Sequence, residues 1–183
     1  MKLGCVLLAS GFGTRFGGNK LLAVVEGKTL MRRTMEAIPA ALFDQAAVVS
    51  QYEEILTQAV RGKYLPVPNP RSSEGISASL RLGLKVMGDM DGALFAVCDQ
   101  PWLTKRSVVR LIRAFREHPD RIAALAYEGK RGNPVIFPAS LFPALDMLRG
   151  EDGGRTVISW NPGLLLTVEA SSARELMDVD KPL

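Results

Sequence analysis

The sequence predicts an α/β fold, a mixed and mostly parallel sheet with helices on both faces. Three observations carry this. Apolar runs about five residues long alternate with amphipathic stretches of about 10–14, the pattern of strands alternating with helices. Two runs, Leu3 to Ala9 and Ala93 to Cys98, are apolar almost throughout, as strands are when helices cover both their sides. The chain has 183 residues, 47% hydrophobic and 23% charged, which suits one domain spanning 1–183 whose core needs no disulfide or metal to close it.

In chain order, Leu3 to Ala9 reads as a buried strand and Thr29 to Ile38 as a helix. Ala46 to Val49 is a short strand, and Ser50-x-x-Glu53 has the spacing of a capping box opening a helix to about Val60. Tyr64 to Val67 is a brief strand. Ile76 to Met87 is a helix, with Ile76, Leu80, Leu84 and Met87 on one stripe. Ala93 to Cys98 is the second clear buried strand. Thr104 caps a helix carrying Val108, Leu111, Ile112 and Phe115. Ile122 to Tyr127 and Val135 to Phe137 read as strands, Leu141 to Leu148 and Thr156 to Trp160 as helices. Leu164 to Val168 is a strand, and Leu176 to Val179 is short and extended. Trp102 and Trp160 read as core or wall residues. Ligands of such sheets bind at the carboxyl ends of the strands. The segments after Ala9, Val67 and Cys98 are therefore expected to be neighbours in space.

Composition excludes several function classes. The single histidine, His118, falls at the end of a helical stretch, where a cation suits the helix dipole. One histidine argues against a His-rich zinc site and against a His-based triad. Cys5 and Cys98 lie inside apolar runs and read as small core residues of a reduced, intracellular protein. The apolar stretch Cys5 to Ala9 is too short for a signal peptide, and no run approaches the roughly 18 residues of a membrane helix. The net charge of +4 comes without a basic run, so neither a nucleic acid nor a membrane is expected as partner.

The most informative segment follows the first strand. From Ser10 to Lys20, four glycines, one Arg and one Lys fall within 11 residues. Glycine lets backbone amides turn inward into a nest that binds anions. Arg15 is able to grip phosphate oxygens in bidentate fashion, and Lys20 adds a point charge. The Walker template fails, because Lys20 follows Asn19 and precedes Leu21. The dinucleotide template fails too. Its third glycine position holds Phe16, and Ser50-Gln51 after the second strand offers no acidic residue for a ribose.

The loop does satisfy the signature Leu-Ala-x-Gly-x-Gly-x-Arg-x-Gly followed closely by Lys, with Leu8 to Gly17 and then Lys20. It resembles the MobA-like NTP transferases, and among them the molybdenum cofactor cytidylyltransferases, to which Gly17-Gly18-Asn19-Lys20-Leu21 is particularly similar. Other segments extend the resemblance from Leu3 to Pro182. Asn69-Pro70 and Glu74 to Leu80 resemble the segment flanking the base. Ala96 to Pro101 resembles the strand and its metal-binding aspartate. Gly132 to Phe137 and Gly150 to Arg155 resemble acceptor-side segments, and Asp178-Val179-Asp180-x-Pro182 a C-terminal acidic motif. The chain departs from the family pattern at Ser10, where members that use CTP carry Ala and members that use GTP carry Gly. The acidic helix that usually follows the last motif has no counterpart before Leu183.

The resemblance implies a Rossmann-like nucleotidyltransferase fold and a cytoplasmic enzyme that moves a nucleotidyl group, from CTP before GTP, to molybdopterin. Arg15, Lys20 and Asp99 would be the catalytic residues. Leu8, Ala9, Ser10, Gly11, Gly13, Arg15, Lys20, Asn69, Gly75, Ser79 and Asp99 would surround the nucleotide. Asn133 and Arg155 would meet the acceptor, and Asp99 and Asp180 would hold Mg2+. A molybdoenzyme or its chaperone would be the protein partner. Attack on an α-phosphate is mostly alignment and charge neutralisation, and it needs no activated Ser, Cys or His. Plainer readings stay open at this stage: Asp99 as a cap or turn residue before Pro101, Asp180 as a solvated tail residue, Asn69 as a turn residue, and Gly153-Gly154-Arg155 as a simple turn. Two other functions also stay open. One is a sugar- or polyol-phosphate nucleotidyltransferase. The other is a non-catalytic accessory factor that carries nucleotide or cofactor for a molybdoenzyme.

Overall fold

The computed structural model describes residues 1–11 and 18–180. Gly13 and Arg15, both expected around the nucleotide, lie outside the described residues. The main sheet is built from β1 (Leu3–Leu8), β4 (Gln45–Ser50), β5 (Leu65–Pro68), β6 (Gly92–Val97), β7 (Ile122–Tyr127), β8 (Lys130–Pro138) and β9 (Leu165–Glu169). Their spatial order is β5-β4-β1-β6-β8-β7-β9. Only β8 runs against its neighbours β6 and β7; the other pairings are parallel. A small antiparallel hairpin, β2 (Val24–Val25) and β3 (Lys28–Thr29), stands apart from the sheet.

Successive strand residues serve opposite faces, as the pleat requires. Cys5, Leu7, Val48, Leu94, Ala96 and Leu125 pack with α1 (Leu30–Ala37), α2 (Glu53–Arg61) and α4 (Lys105–Glu117). Val6, Ala47, Val49, Phe95, Ala124 and Phe137 pack with α3 (Ile76–Val86), α5 (Phe142–Asp146) and α6 (Gly154–Trp160). This is why β1 and β6 read as continuous apolar runs: both of their faces are core. Each fully buried Leu or Val there stabilises the fold by about 1.5–3 kcal/mol. On the second face, Gly83 lets α3 come down onto β1, since a Cβ there would sit 2.5 Å from Val6 Cγ1.

Thr29 and Thr104 cap α1 and α4, their hydroxyls accepting from the amides of Arg32 and Ser107. His118 is the C-cap residue of α4. Five expectations need correction. Ser50 does not form a capping box. It belongs to β4, its hydroxyl donates to Ala9 O at 2.8 Å, and Tyr52 is the N-cap residue of α2. β8 begins at Lys130, five residues before Val135, because the two-residue turn Glu128-Gly129, both with positive φ, closes a tight hairpin with β7. The stretch from Leu141 to Leu148 is a 3-10 turn, Ala139–Leu141, followed by the short α5. Leu176 ends another 3-10 turn, Ala173–Leu176, and only the residues beyond it are extended. Trp160 is 58% exposed and is not a core residue. No described helix is long and apolar enough to cross a membrane.

Candidate active site

The site lies along the carboxyl ends of β1, β5 and β6. Asn19 caps a 3-10 turn, Lys20–Leu22, by accepting from the amide of Leu21, whose side chain is buried. That anchor aims Lys20 across the cleft. Lys20 Nζ lies 2.9 Å from Asp99 Oδ2 and 3.5 Å from Asp180 Oδ1. The Asp99 pair is the stronger one. Its partners are 15% and 26% exposed, whereas Asp180 is 65% exposed, where water screens an ion pair to a fraction of a kcal/mol.

Asp180 comes to this place because the chain before it is fastened. The buried Glu175 accepts from the amide and hydroxyl of Thr104 and from the amide of Ser171. Gln100 Nε2 donates to Leu176 O at 3.2 Å and to Asp178 Oδ1 at 2.9 Å, and the Val179 amide donates to Asp99 O at 2.9 Å. Burial pushes the Asp178 carboxyl above its usual range. The charges of Asp99 and Asp180 push the same way, against the Gln100 amide and Lys20. Gln100 and Asp178 stood in the sequence only as members of motifs, and Glu175 not at all; the fold shows that they fasten this segment.

Divalent-metal chemistry fits these residues on one observation. Asp99 Oδ1 is buried and has no hydrogen-bond partner among the described residues, while its other oxygen faces the Lys20 ammonium. A buried carboxylate oxygen left unpaired is costly unless a cation or donor reaches it. Among the described residues no cluster of three or more His, Cys, Asp or Glu forms a metal cage, so any ion here would take part of its shell from phosphate and water.

On the other side of β1, Asn69 joins two more of the expected residues. Its side-chain NH2 donates to Ser10 Oγ at 3.1 Å and to Ser79 Oγ at 3.0 Å, and its Oδ1 accepts from the Arg71 amide. Ser10 Oγ in turn donates to Val49 O at 3.2 Å. All three residues are buried. They form a brace between the ends of β1 and β5 and the first turn of α3, and the hydroxyl proton of Ser10 is already committed to protein. Gly75 has φ +89, and a Cβ there would sit 2.4 Å from Gly150 O. The close approach that Gly75 permits is thus by the 150 loop, whose Gly150 O also accepts from the Ser77 amide.

A cavity of about 520 Å3 opens between β6, β8 and α6. Asn133 and Arg155 line it, together with Gln100, Asp152 and Asp178. So does Arg131, which sequence reasoning missed because Lys130 to Pro134 does not look like a strand. Burial and, second, the charge of Arg155 hold Arg131 below the usual arginine range. Neither guanidinium makes an ion pair among the described residues.

Residues 5–165 match the model of the MobA-like NTP transferase domain. Among curated proteins, the chain is 30% identical to a nicotine blue oxidoreductase of Paenarthrobacter nicotinovorans, over 96% of this chain and 90% of that protein. It is 26% identical to the purine catabolism protein PucB of Bacillus subtilis, over 97% and 91%. It is 28% identical to a probable molybdenum cofactor guanylyltransferase of Synechococcus elongatus, over 74% and 71%. Among solved structures, a nucleotidyl transferase from Methanothermobacter superposes with a TM-score of 0.79 at 25% identity, covering 98% of this chain and 92% of that one. Rv0371C of Mycobacterium tuberculosis, solved as a complex with manganese, has the same fold, with a TM-score of 0.69 at 22% identity over 93% and 90%.

Proposed function

This chain belongs to the MobA-like NTP transferase family, a nucleotidyltransferase family, and on that premise we propose that it transfers the cytidylyl group of CTP to the phosphate of a molybdopterin-type acceptor, with Mg2+, releasing pyrophosphate. The observation that carries this reading is Lys20 held between Asp99 and Asp180, beside an Asp99 oxygen that no described group satisfies. An acceptor phosphate oxygen attacks the α-phosphorus of CTP. The new P–O bond forms as the bond to the β-phosphate breaks, and pyrophosphate leaves with the electron pair. Asp99 and Asp180 would hold the Mg2+, which when bound supplies neutralisation of the triphosphate charge. The manganese in a protein of the same fold is in keeping with a divalent ion. Lys20 exchanges its carboxylate partners for phosphate oxygens, and Arg15 grips the same chain of phosphates. Leu8, Ala9, Ser10, Gly11 and Gly13 frame the nucleotide, and Gly75 and Ser79 close it from α3. Asn133 and Arg155 orient the acceptor in the cavity beside α6.

The choice of CTP rests on Ser10. Its side chain occupies room that a glycine would leave, and its hydroxyl proton is committed to Val49 O, so it is not available to guanine O6. The finished cofactor would pass to a molybdoenzyme or its chaperone in the cytoplasm. A second reading draws on the full-length similarity to a protein named nicotine blue oxidoreductase: the cavity takes a redox substrate and no nucleotidyl group moves. The accessory-factor reading likewise involves no transfer, and a sugar- or polyol-phosphate enzyme would differ only in acceptor. Pyrophosphate release, measured for CTP, GTP, ATP and UTP with molybdopterin or a sugar phosphate present, separates these. Release with CTP and molybdopterin is expected. Faster release with GTP overturns the donor, release only with the sugar phosphate overturns the acceptor, and no release with any pair overturns the enzyme.

A further inference from the structure

Three consecutive residues that neither the family signature nor the mechanism uses are joined to three consecutive residues of the first loop. Ser50 Oγ donates to Ala9 O at 2.8 Å, Gln51 Nε2 to Ser10 O at 2.6 Å, and Tyr52 Oη to Gly11 O at 2.9 Å. In an ordinary strand successive carbonyls point to alternate sides. Here three in a row turn to the same side, toward the end of β4. A trans peptide sets its N–H opposite its C=O. The amides of Ser10 and Gly11 therefore point away from β4. The other neighbour of β1 is β6, and Asp99 follows two residues beyond the end of β6 at Val97, so amides turned away from β4 are turned toward the cleft. Consecutive amides turned to one side form an anion nest.

The Gln51 side chain is pinned at both ends. The Ser10 carbonyl only accepts, so it requires the Gln51 NH2, and the Oε1 left on the other side accepts from Ser72 Oγ at 3.0 Å. Ser50 is likewise fixed, accepting from the Tyr52 amide at 3.1 Å while donating to Ala9 O. We infer that Ser50, Gln51 and Tyr52 are positioning residues: they clamp the carbonyls of Ala9, Ser10 and Gly11 so that the Ser10 and Gly11 amides are preset to receive the triphosphate. The clamp acts through the backbone and touches no substrate. The inference rests on the nucleotidyltransferase reading, because it takes the triphosphate as the anion.

Gln51 and Tyr52 are only half-buried, so they are the positions to vary. Tyr52→Phe removes one donor. Gln51→Glu replaces a donor with a charge that repels Ser10 O. Inorganic tripolyphosphate and CTP are titrated calorimetrically into each protein, and the Ser10 and Gly11 amides are followed by heteronuclear NMR. In the wild type both amides are expected to shift on tripolyphosphate binding. Tyr52→Phe should weaken both ligands on the order of tenfold, the equivalent of one net hydrogen bond. Gln51→Glu should weaken them further and abolish the amide shifts, while Gln51→Asn, which keeps the donor on a shorter arm, should recover part of both. Unchanged affinities and unchanged amide shifts in the Tyr52→Phe and Gln51→Glu proteins would overturn the clamp alone. A wild type that binds neither CTP, GTP nor tripolyphosphate would overturn the nucleotide reading, and the clamp with it.

Discussion

At the end of β1 the polar side chains are spent on one another, whereas in the cavity beside α6 the charges face open space. Asn69 uses both its amide protons on Ser10 and Ser79, and the Ser10 hydroxyl is used again on Val49 O. Arg131 and Arg155, across the sheet, share a cavity of about 520 Å3 and repel each other, and neither has a carboxylate within ion-pair distance among the described residues. The first region is shaped in advance, and a ligand there meets backbone and one or two charges. The second keeps its cations for a ligand to neutralise. Lys20 and Asp99 stand between them. The contrast teaches that one half is built for shape and the other for charge, and substitutions should separate the two.

The largest effect is expected where the halves meet. Asp99→Ala should lower turnover a hundred- to thousandfold, roughly what loss of one preorganised electrostatic group costs, while thermal unfolding shows the fold intact. Magnesium-dependent activity near the wild-type level would remove Asp99 from the proposed metal site. In the half proposed for the nucleotide, Asn69→Ala should cost about 1–3 kcal/mol of stability in urea unfolding, because it strips the donor from two buried hydroxyls. It should raise the KM for the nucleotide and leave the acceptor KM alone. In the half proposed for the acceptor the pattern should reverse. Arg155→Met should raise the acceptor KM several-fold at unchanged stability, since the side chain is exposed and makes no ion pair among the described residues. If both variants moved the same constant, the division between the halves would fail.

The smallest effect concerns pH. Burial alone would raise the Glu175 carboxyl, but donors from Ser107, Thr104 and Ser171 outweigh it and leave it below its ordinary value. A carboxylate so depressed contributes stability above its unfolded pKa and loses it as pH falls through the folded value. Glu175→Gln should therefore be less stable than wild type at neutral pH, and the two should converge in acid. Parallel stability curves from pH 7 to pH 3 would show that the docking of the 173–180 segment does not depend on that charge.

The strands were legible where both faces are core. β1 and β6 read as apolar runs, and Thr29 and Thr104 announce their helices by cap chemistry. Lys20, Asp99 and Asp180 were legible as a motif resemblance, and the fold brings them together although 160 positions separate the first from the last. The rest was hidden because its meaning is tertiary. Lys130 to Pro134 is polar, interrupted by Gly132 and Pro134, and becomes strand only because the Glu128-Gly129 turn folds it back on β7. Ser50 has the spacing of a helix cap, but the end of β1 lies close enough to take its hydroxyl instead. Gln51, Tyr52 and Arg131 lack any local pattern, since each matters for a partner far along the chain.

Transfer between the two halves is tested most directly with CTP labelled at the α-phosphate. Incubated with excess protein, Mg2+ and molybdopterin, the label is expected to move into the acceptor in a one-to-one ratio with pyrophosphate formed, and to stay in CTP when the protein is Asp99→Ala. Label that remained in CTP, or appeared only as free CMP, with the wild-type protein would contradict it.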